Sequence, residues 1–287
     1  MSISHAIHAA QSGLKVSGLR ADIVATNVAN ASTPGYVRRS VLLGETLLAG
    51  RTTGVSSAGI YRAEDAALTA ERRTLSSDVA QSSLMASTWQ VLSSRLGDDA
   101  DGTGLFSKFT KFESALTAAV ASPESGTQLA ALLDSANSVV SELNSLSRLV
   151  TQQRSEADRE IADGVEVVNT SLKTIERING LLAGMDRTTS QAVALMDDRQ
   201  RTLDTIAEYL PVQAIPREGG TIDVVTTEGV YLVAGKARQL EFSAGNIFDS
   251  SATVANGALS KLMVGDLELT PGGPSYAAVS SGMFGAL

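Results

Sequence analysis

Apolar residues near the start of the chain recur with alternating steps of four and three, which is the period of one face of an α-helix. Three of the eight positions are Ala or Ser, so the stripe buries little surface, and an isolated helix of this kind is only marginally stable in water. We therefore expect this helix to require partner helices. The stripe consists of Ile3, Ile7, Ala10, Leu14, Ser17, Ala21, Val24 and Val28.

The first helix is predicted to end at the sequence Thr33-Pro34-Gly35-Tyr36. Proline lacks an N–H donor and disfavours helical backbone at the residue before it, and glycine can adopt the positive φ of a type II turn. Residues 40–62 then combine β-branched side chains with scattered glycines and have no helical period. This pattern predicts an extended or weakly β segment.

The helical period returns after residue 62 in four further segments. The longest begins near Ser125 and would measure about 80 Å without a break, at about 1.5 Å per residue; Gly164 is the position where a bend is most expected. Pro123 and Pro211 end the helices that precede them. The predicted helices cover residues 68–96, 105–120, 125–182 and 195–210, with a loop at 97–104.

After Pro211 the period changes to two, and short β-rich runs alternate with glycine turns, as in an antiparallel hairpin or meander. The last 40 residues are rich in Gly, Ser and Pro and lead us to expect a truncated region. The predicted fold is mainly α, an elongated multi-helix bundle with long coiled-coil-like helices and a small C-terminal β-hairpin region. Its segments are an N-terminal helix (1–35), an extended linker (36–62), a helical bundle (63–211) and the small β-rich region (212–287).

Composition and charge exclude several classes of function. The net charge is −8, although residues 1–62 carry +4, and the basic residues there are scattered without stacking aromatics, which argues against nucleic-acid binding. Cysteine is absent, so disulfides and thiolate sites are excluded. No run of 18 apolar residues predicts a membrane span, and the N-terminus lacks the pattern of a cleavable signal peptide.

The residues that could support catalysis or metal binding do not form complete sites. His5 and His8 lie one helical turn apart without a third ligand. Asp99 and Asp101 resemble the start of a calcium loop that lacks its final Glu, and Gly235 belongs to an incomplete phosphate loop. We therefore predict no catalytic, cofactor-binding or metal-binding residues and no enzymatic activity.

Three segments carry a resemblance to a known family. The first resembles the signature of the bacterial flagellar rod, hook and hook-associated axial proteins, and the other two resemble the first hook-associated proteins within that family. The segments are Asn27-Val28-Ala29-Asn30-Ala31-Ser32-Thr33-Pro34-Gly35-Tyr36, Leu105-Phe106-Ser107-Lys108-Phe109, and Leu195-Met196-Asp197-Asp198-Arg199-Gln200-Arg201-Thr202-Leu203-Asp204.

The resemblance implies a structural subunit at the hook–filament junction that assembles through its terminal helices. Its implied partners are copies of itself, the hook protein, the next junction protein, and the flagellar type III export apparatus with a chaperone. It would be exported without a cleavable signal peptide and would lie outside the cell, in the flagellum. The expected assembly contacts are Ile3, Ile7, Leu14, Val24, Val28, Thr33, Pro34, Gly35 and Tyr36.

Two alternatives remain open at the level of sequence. A hook or rod subunit would share the N-terminal signature but become largely β after residue 60. A free-standing helical adaptor would match that signature by chance and would hold its N-terminal helix folded in the monomer.

Overall fold

The structure is a computed structural model, and it describes residues 3–48, 51–97, 103–245, 252–253, 256 and 258–287. Its mainly α architecture confirms the predicted fold class. The helices are α1 (Ile3–Ala29), α2 (Ala66–Leu96), α3 (Gly104–Ala121), α4 (Gly126–Ala183), α5 (Ser190–Tyr209) and α6 (Met283–Ala286). The strands are β1 (Arg39–Leu48), β2 (Arg51–Arg62), β3 (Val212–Pro216), β4 (Ile222–Thr226), β5 (Tyr231–Ala234), β6 (Lys236–Ala237), β7 (Leu240–Glu241), β8 (Met263–Val264) and β9 (Leu267–Glu268).

Polar side chains fix the starts of three of these helices. Asp65 accepts hydrogen bonds from the backbone N–H groups of Ala67 and Leu68 at the start of α2. Ser125 and Thr189 accept in the same way at the starts of α4 and α5. Each cap satisfies N–H groups that have no partner inside the helix, so these starts are encoded locally.

The longest helix, α4, runs for 58 residues and is about 87 Å long at about 1.5 Å per residue. It continues without interruption through Gly164, the expected site of a bend. A Cβ atom at Gly164 would lie 2.8 Å from the rings of Tyr209 and Phe284, whose centroids are 5.5 Å apart. This glycine therefore serves close packing of two aromatic rings against the helix.

The main core lies where the C-terminal half of α4 meets α5, the β3–β6 meander and the segment after it. The buried side chains of this core region include Val168, Leu172, Ile175, Leu203, Ile206, Leu210, Val224, Leu232, Val264, Leu269 and Phe284. The meander has the strand order β3-β4-β5-β6, all antiparallel, as the period of two predicted.

The C-terminal segment, expected to be truncated and β-rich, returns to the helices. Phe284 on α6 is 2 % exposed, and the buried hydroxyl groups of Ser77 and Ser281 lie 3.1 Å apart. Gln81 on α2 donates hydrogen bonds to the carbonyl oxygens of Gly285 and Ser280. The segment thereby joins α2 to the core region.

Residues 36–62, predicted as an extended linker, contain two long strands that pair with each other. β1 and β2 form an antiparallel ribbon from the pair Arg39 and Arg62 at its base to Leu48 and Arg51 at its tip. The extended conformation agrees with the prediction, whereas the pairing was not predicted. The domain limits proposed from the sequence remain a prediction.

The second half of α2, the whole of α3 and the first half of α4 form a distal region that is more thinly packed. Here α3 packs mainly on α4 and only lightly on α2. Many of its large apolar side chains are more exposed than buried, among them Trp89, Phe106, Phe109, Val120, Leu133 and Val140.

A candidate assembly surface on the N-terminal helix

One side of α1 packs on the ribbon. Val16 is buried, and Leu19 and Ile23 follow it at helical spacing and are half-buried. The hydroxyl oxygen of Ser12, one turn earlier, accepts a hydrogen bond of 3.1 Å from the backbone N–H of Val55. A Cβ atom at Gly54 would lie 2.4 Å from that same oxygen, so the absence of a side chain at Gly54 allows the close approach.

The opposite side of α1 carries the apolar stripe predicted from the sequence, and all eight of its positions are exposed. Ile3 is 81 % exposed, Leu14 76 % and Val28 72 %, and Ile7 and Val24 are also exposed. Contiguous apolar surface of this kind marks an interaction site in soluble proteins. The helix therefore has two faces: one is covered within the chain and the other is available to a partner.

The turn after α1 is held by the side chain of Asn27. Its amide nitrogen donates to the carbonyl oxygen of Arg39 at 2.8 Å, and its amide oxygen accepts from the N–H of Arg39 and the hydroxyl of Tyr36, both at 2.9 Å. The guanidinium of Arg39 lies 5.0 Å above the ring of Tyr36. This network ties the end of α1 to the base of the ribbon.

The four predicted turn residues thus divide into two pairs. Thr33 and Pro34 are exposed and remain available for contacts with a partner. Gly35 and Tyr36 are half-buried within the chain. Gly35 has φ of 74°, and a Cβ atom there would lie 2.3 Å from Cγ of Arg201 on α5, so this position favours glycine on two grounds.

A buried ion-pair cluster fastens the ribbon to α5. Asp197 is 2 % exposed and accepts from Nη2 of Arg39 at 2.6 Å and from Nε of Arg62 at 2.9 Å. Arg62 also contacts Glu64 at 2.6 Å, and the N–H of Ile60 donates to the carbonyl of Thr188 at 2.8 Å. We call Arg39, Arg62 and Asp197 the ribbon clamp.

Asp197 belongs to the third segment quoted from the sequence, but its ion-pair partners lie 158 and 135 residues away along the chain. No local spacing rule detects a pair of that kind. The role of Asn27, although it belongs to the quoted signature, likewise becomes apparent only from the turn geometry.

Among the residues that the structure describes, no group of three potential His, Asp or Glu metal ligands occurs. His5 and His8 line an open groove between α1 and the ribbon, beside Ser12, Thr46 and Thr53. Asp99 and Asp101 lie outside the described residues. No helix within the described ranges is both long and apolar enough to cross a membrane.

Two family models match separate parts of the chain, and both describe flagellar proteins. The sequence model of the family described as "Flagellar hook-associated protein FlgK helical domain" matches residues 90–272. A second model, described as "Flagella basal body rod protein", matches residues 7–36, which contain most of α1 and the turn after it.

Two curated relatives are flagellar hook-associated proteins as well. The "Flagellar hook-associated protein 1" of Salmonella typhimurium (strain LT2) is 26 % identical over 262 residues, which cover 88 % of this chain and 47 % of that protein. The protein of that name in Escherichia coli (strain K12) is 24 % identical over the same shares of both chains. The chain spans about half the length of the curated relatives it matches.

A solved structure supports the fold. The flagellar hook junction protein FlgK from Burkholderia pseudomallei superposes with a TM-score of 0.58 at 17 % identity, covering 77 % of this chain and 38 % of that chain. At this level of identity the likeness shows a shared fold.

Proposed function

We propose that this chain, which belongs to the flagellar hook-associated protein FlgK helical-domain family, is a structural subunit of the bacterial flagellum at the junction of hook and filament. The family match includes the whole of α3, α4 and α5, where a hook or rod subunit would be largely β, and this favours the junction over those alternatives. We assign no catalytic role to any residue.

The observation that supports this proposal best is the exposed apolar stripe of α1. Its large side chains, Ile3, Ile7, Leu14, Val24 and Val28, stand on the side of the helix that faces away from the ribbon. Burying such a side chain stabilises a complex by roughly 1.5–3 kcal/mol. Five of them supply on the order of 10 kcal/mol, which is comparable to the roughly 4–15 kcal/mol that association costs in lost translational and rotational freedom.

We propose that the stripe, together with Thr33 and Pro34, contacts neighbouring subunits. Because Gly35 and Tyr36 take part in packing and hydrogen bonds inside the chain, their part in assembly is to hold α1 in position. The partners are copies of this chain, the hook protein and the next junction protein. The chain reaches them through the flagellar type III export apparatus with a chaperone and functions outside the cell.

The stripe can be tested by introducing one charge into it. Leu14→Glu places a carboxylate in the centre of the stripe, and Gln11→Glu places one on an exposed flank of the same helix. We expect Leu14→Glu to reduce co-sedimentation with isolated flagellar hooks by about tenfold or more, since it removes one apolar anchor and buries a charge. Gln11→Glu should change it by less than about twofold.

Circular dichroism should show equal helix content in both variants. Equal loss of binding in the two variants would exclude the stripe as the contact surface. If the unaltered chain binds neither hooks nor itself at any concentration tested, the proposed assembly function is wrong.

A further inference from the structure

A second surface, remote from the α1 stripe, is a cleft of about 350 Å³ between the start of α2, α5 and the β3–β4 hairpin. Its polar lining is dominated by guanidinium groups, and Glu64 is the single acidic residue among the residues that line it. The arginines are Arg62, Arg73, Arg187, Arg199 and Arg217.

Three of the five arginines are bound by carboxylates of this chain. Arg62 pairs with Asp197 and Glu64, and Arg73 pairs with Asp204. Arg217 donates to Asp223. Both Asp197 and Asp204 also bind a further arginine just outside the cleft, Arg39 and Arg72 respectively. Five arginines therefore share four carboxylates, and the two other arginines of the cleft, Arg187 and Arg199, add to the excess of positive charge.

Arg199 is the more enclosed of the two remaining arginines. Its Nη1 donates to the amide oxygen of Asn179 at 3.0 Å and to the carbonyl oxygen of Gly220 at 2.8 Å, and both acceptors are neutral. Burial and the nearby charge of Arg62 lower the pKa of Arg199 to about 10, and the nearby carboxylate of Glu64 opposes this shift only in part. A desolvated cation whose hydrogen-bond acceptors are neutral is unfavourable, so an external anion in contact with it would stabilise it.

Arg187 lies at the rim of the cleft and is exposed. A Cβ atom at Gly220, which has φ of 77°, would lie 2.7 Å from Cδ of Arg187, so this glycine makes room for the arginine stem over the turn. The neighbouring carboxylate of Asp186 accepts hydrogen bonds from the N–H and hydroxyl of Thr188, which lower its pKa, and the charge of Arg187 adds a smaller lowering without forming an ion pair. Among the described residues, Arg187 has no ion pair.

We propose that this cleft binds carboxylate side chains of an acidic segment on a partner protein, with Arg187 and Arg199 as the receiving groups. The planar fork of guanidinium matches a carboxylate with two parallel hydrogen bonds. Glu64 at the edge and the net charge of −8 disfavour a polyanion such as nucleic acid, and no aromatic ring lines the cleft for base stacking.

The site can be tested on the purified chain with a capped tri-glutamate peptide at low ionic strength, with capped tri-glutamine as the uncharged control. Binding is followed by calorimetry and by the NMR signals of the arginine Nε–H groups. We expect tri-glutamate to bind and to shift those signals, and tri-glutamine to do neither. This measurement does not depend on assembly, so its failure would leave the proposed function of the α1 stripe untouched.

Arg187→Gln is the informative variant because the side chain is exposed and has no ion pair to lose. Its loss of one charge-assisted hydrogen-bonding group should weaken tri-glutamate binding by about tenfold. Arg148→Gln removes the same charge from an exposed position on α4 outside the cleft and should weaken binding by less than about twofold. Equal weakening by both variants would mean a non-specific charge effect and would overturn the proposal.

Competition with inorganic phosphate distinguishes a carboxylate site from a phosphate site. We expect phosphate to displace tri-glutamate no better than acetate does at equal ionic strength. Displacement by phosphate at a much lower concentration than by acetate would assign the cleft to phosphate groups and overturn the carboxylate assignment. Absence of any tri-glutamate binding would overturn it as well.

Discussion

The two halves of α4 carry the same kind of apolar repeat and yet differ in how much of it they bury. In the C-terminal half, Leu172 and Ile175 are at most 1 % exposed within the core region. In the N-terminal half, which belongs to the distal region, Val139 is buried, but Leu129 is 45 % and Leu143 47 % exposed on the same stripe, and Leu133 beside it is 65 % exposed. A heptad pattern therefore predicts a helix, but the extent of its burial is decided by which other elements reach it.

The difference follows from the number of elements that cover each half. The C-terminal half is covered by α5, the meander and the segment that ends in α6. The N-terminal half is covered chiefly by α3, and an open groove lined by Leu84, Val91 and Val150 separates it from α2. Stability should consequently be concentrated in the core region.

The largest expected effect comes from deleting a buried side chain in the core region. Leu172→Ala removes three carbon atoms at a fully enclosed position and should lower the free energy of unfolding by about 2–5 kcal/mol. Leu133→Ala, on the same helix in the distal region, should cost less than about 1 kcal/mol because most of that side chain is already in water. Urea unfolding followed by circular dichroism measures both.

If Leu133→Ala proved as costly as Leu172→Ala, the distal region would have to be covered in solution, for example by self-association. Repeating the unfolding at several protein concentrations distinguishes that case, since only an associated state gives a concentration-dependent midpoint.

The second comparison uses one ion pair from each region. Asp197→Asn should lower the free energy of unfolding by about 3 kcal/mol, since Asp197 is 2 % exposed and its loss leaves Arg39 without a carboxylate and Arg62 with Glu64 alone. Glu142→Gln breaks the pair with Lys108 that joins α3 to α4 in the distal region. With Lys108 partly exposed, the expected cost is about 0–1 kcal/mol.

The ribbon clamp also predicts which backbone amides lose protection from hydrogen exchange. Hydrogen exchange in Asp197→Asn should accelerate at the base of the ribbon, around Ile60, whereas Glu142→Gln should leave those amides unchanged. Acceleration spread evenly over all helices would contradict a local role for the clamp and indicate general destabilisation.

The long helices were predictable because their signals are local. Period and prolines placed both ends of α2, α3 and α4 to within two residues, whereas α5 begins five residues before its predicted start. The apolar stripe on α1 was also found from its period, and its exposure in the structure leaves its role in assembly as a proposal. In each case the determining interactions lie within four or five residues along the chain.

The ribbon and the C-terminal segment were harder to predict because they depend on distant contacts. Two register shifts each leave one residue of β2 without a partner on β1, Ala58 and Thr53, and so disturb the alternation that identifies a strand. In the C-terminal segment, Leu269, Val279 and Phe284 are separated by turns and share no period, yet all three are buried. Ser281 meets Ser77 across 204 residues, a contact that spacing cannot reveal.

The smallest expected effect concerns Gly164, where the sequence predicted a bend and the structure instead shows tight packing against two aromatic rings. Gly164→Ala adds a methyl group 2.8 Å from the rings of Tyr209 and Phe284, and overpacking of that kind costs about 1–3 kcal/mol. Replacing glycine by alanine inside a helix also raises the free energy of unfolding by about 0.5–1 kcal/mol, because alanine has the higher helix propensity. The net expectation is a destabilisation of about 1 kcal/mol.

The matched control is Gly180→Ala on the same helix, where an added methyl group would meet nothing within 4 Å. Only the helix-propensity gain operates there, so this variant should be more stable by about 0.5–1 kcal/mol. The two substitutions therefore differ in sign although they are chemically identical. Stabilisation by both would show that the rings move aside without cost, and the packing role of Gly164 would then be rejected. Phe284→Leu in the Gly164→Ala background provides the confirming step, because a smaller neighbour should reduce the penalty if the clash is its cause.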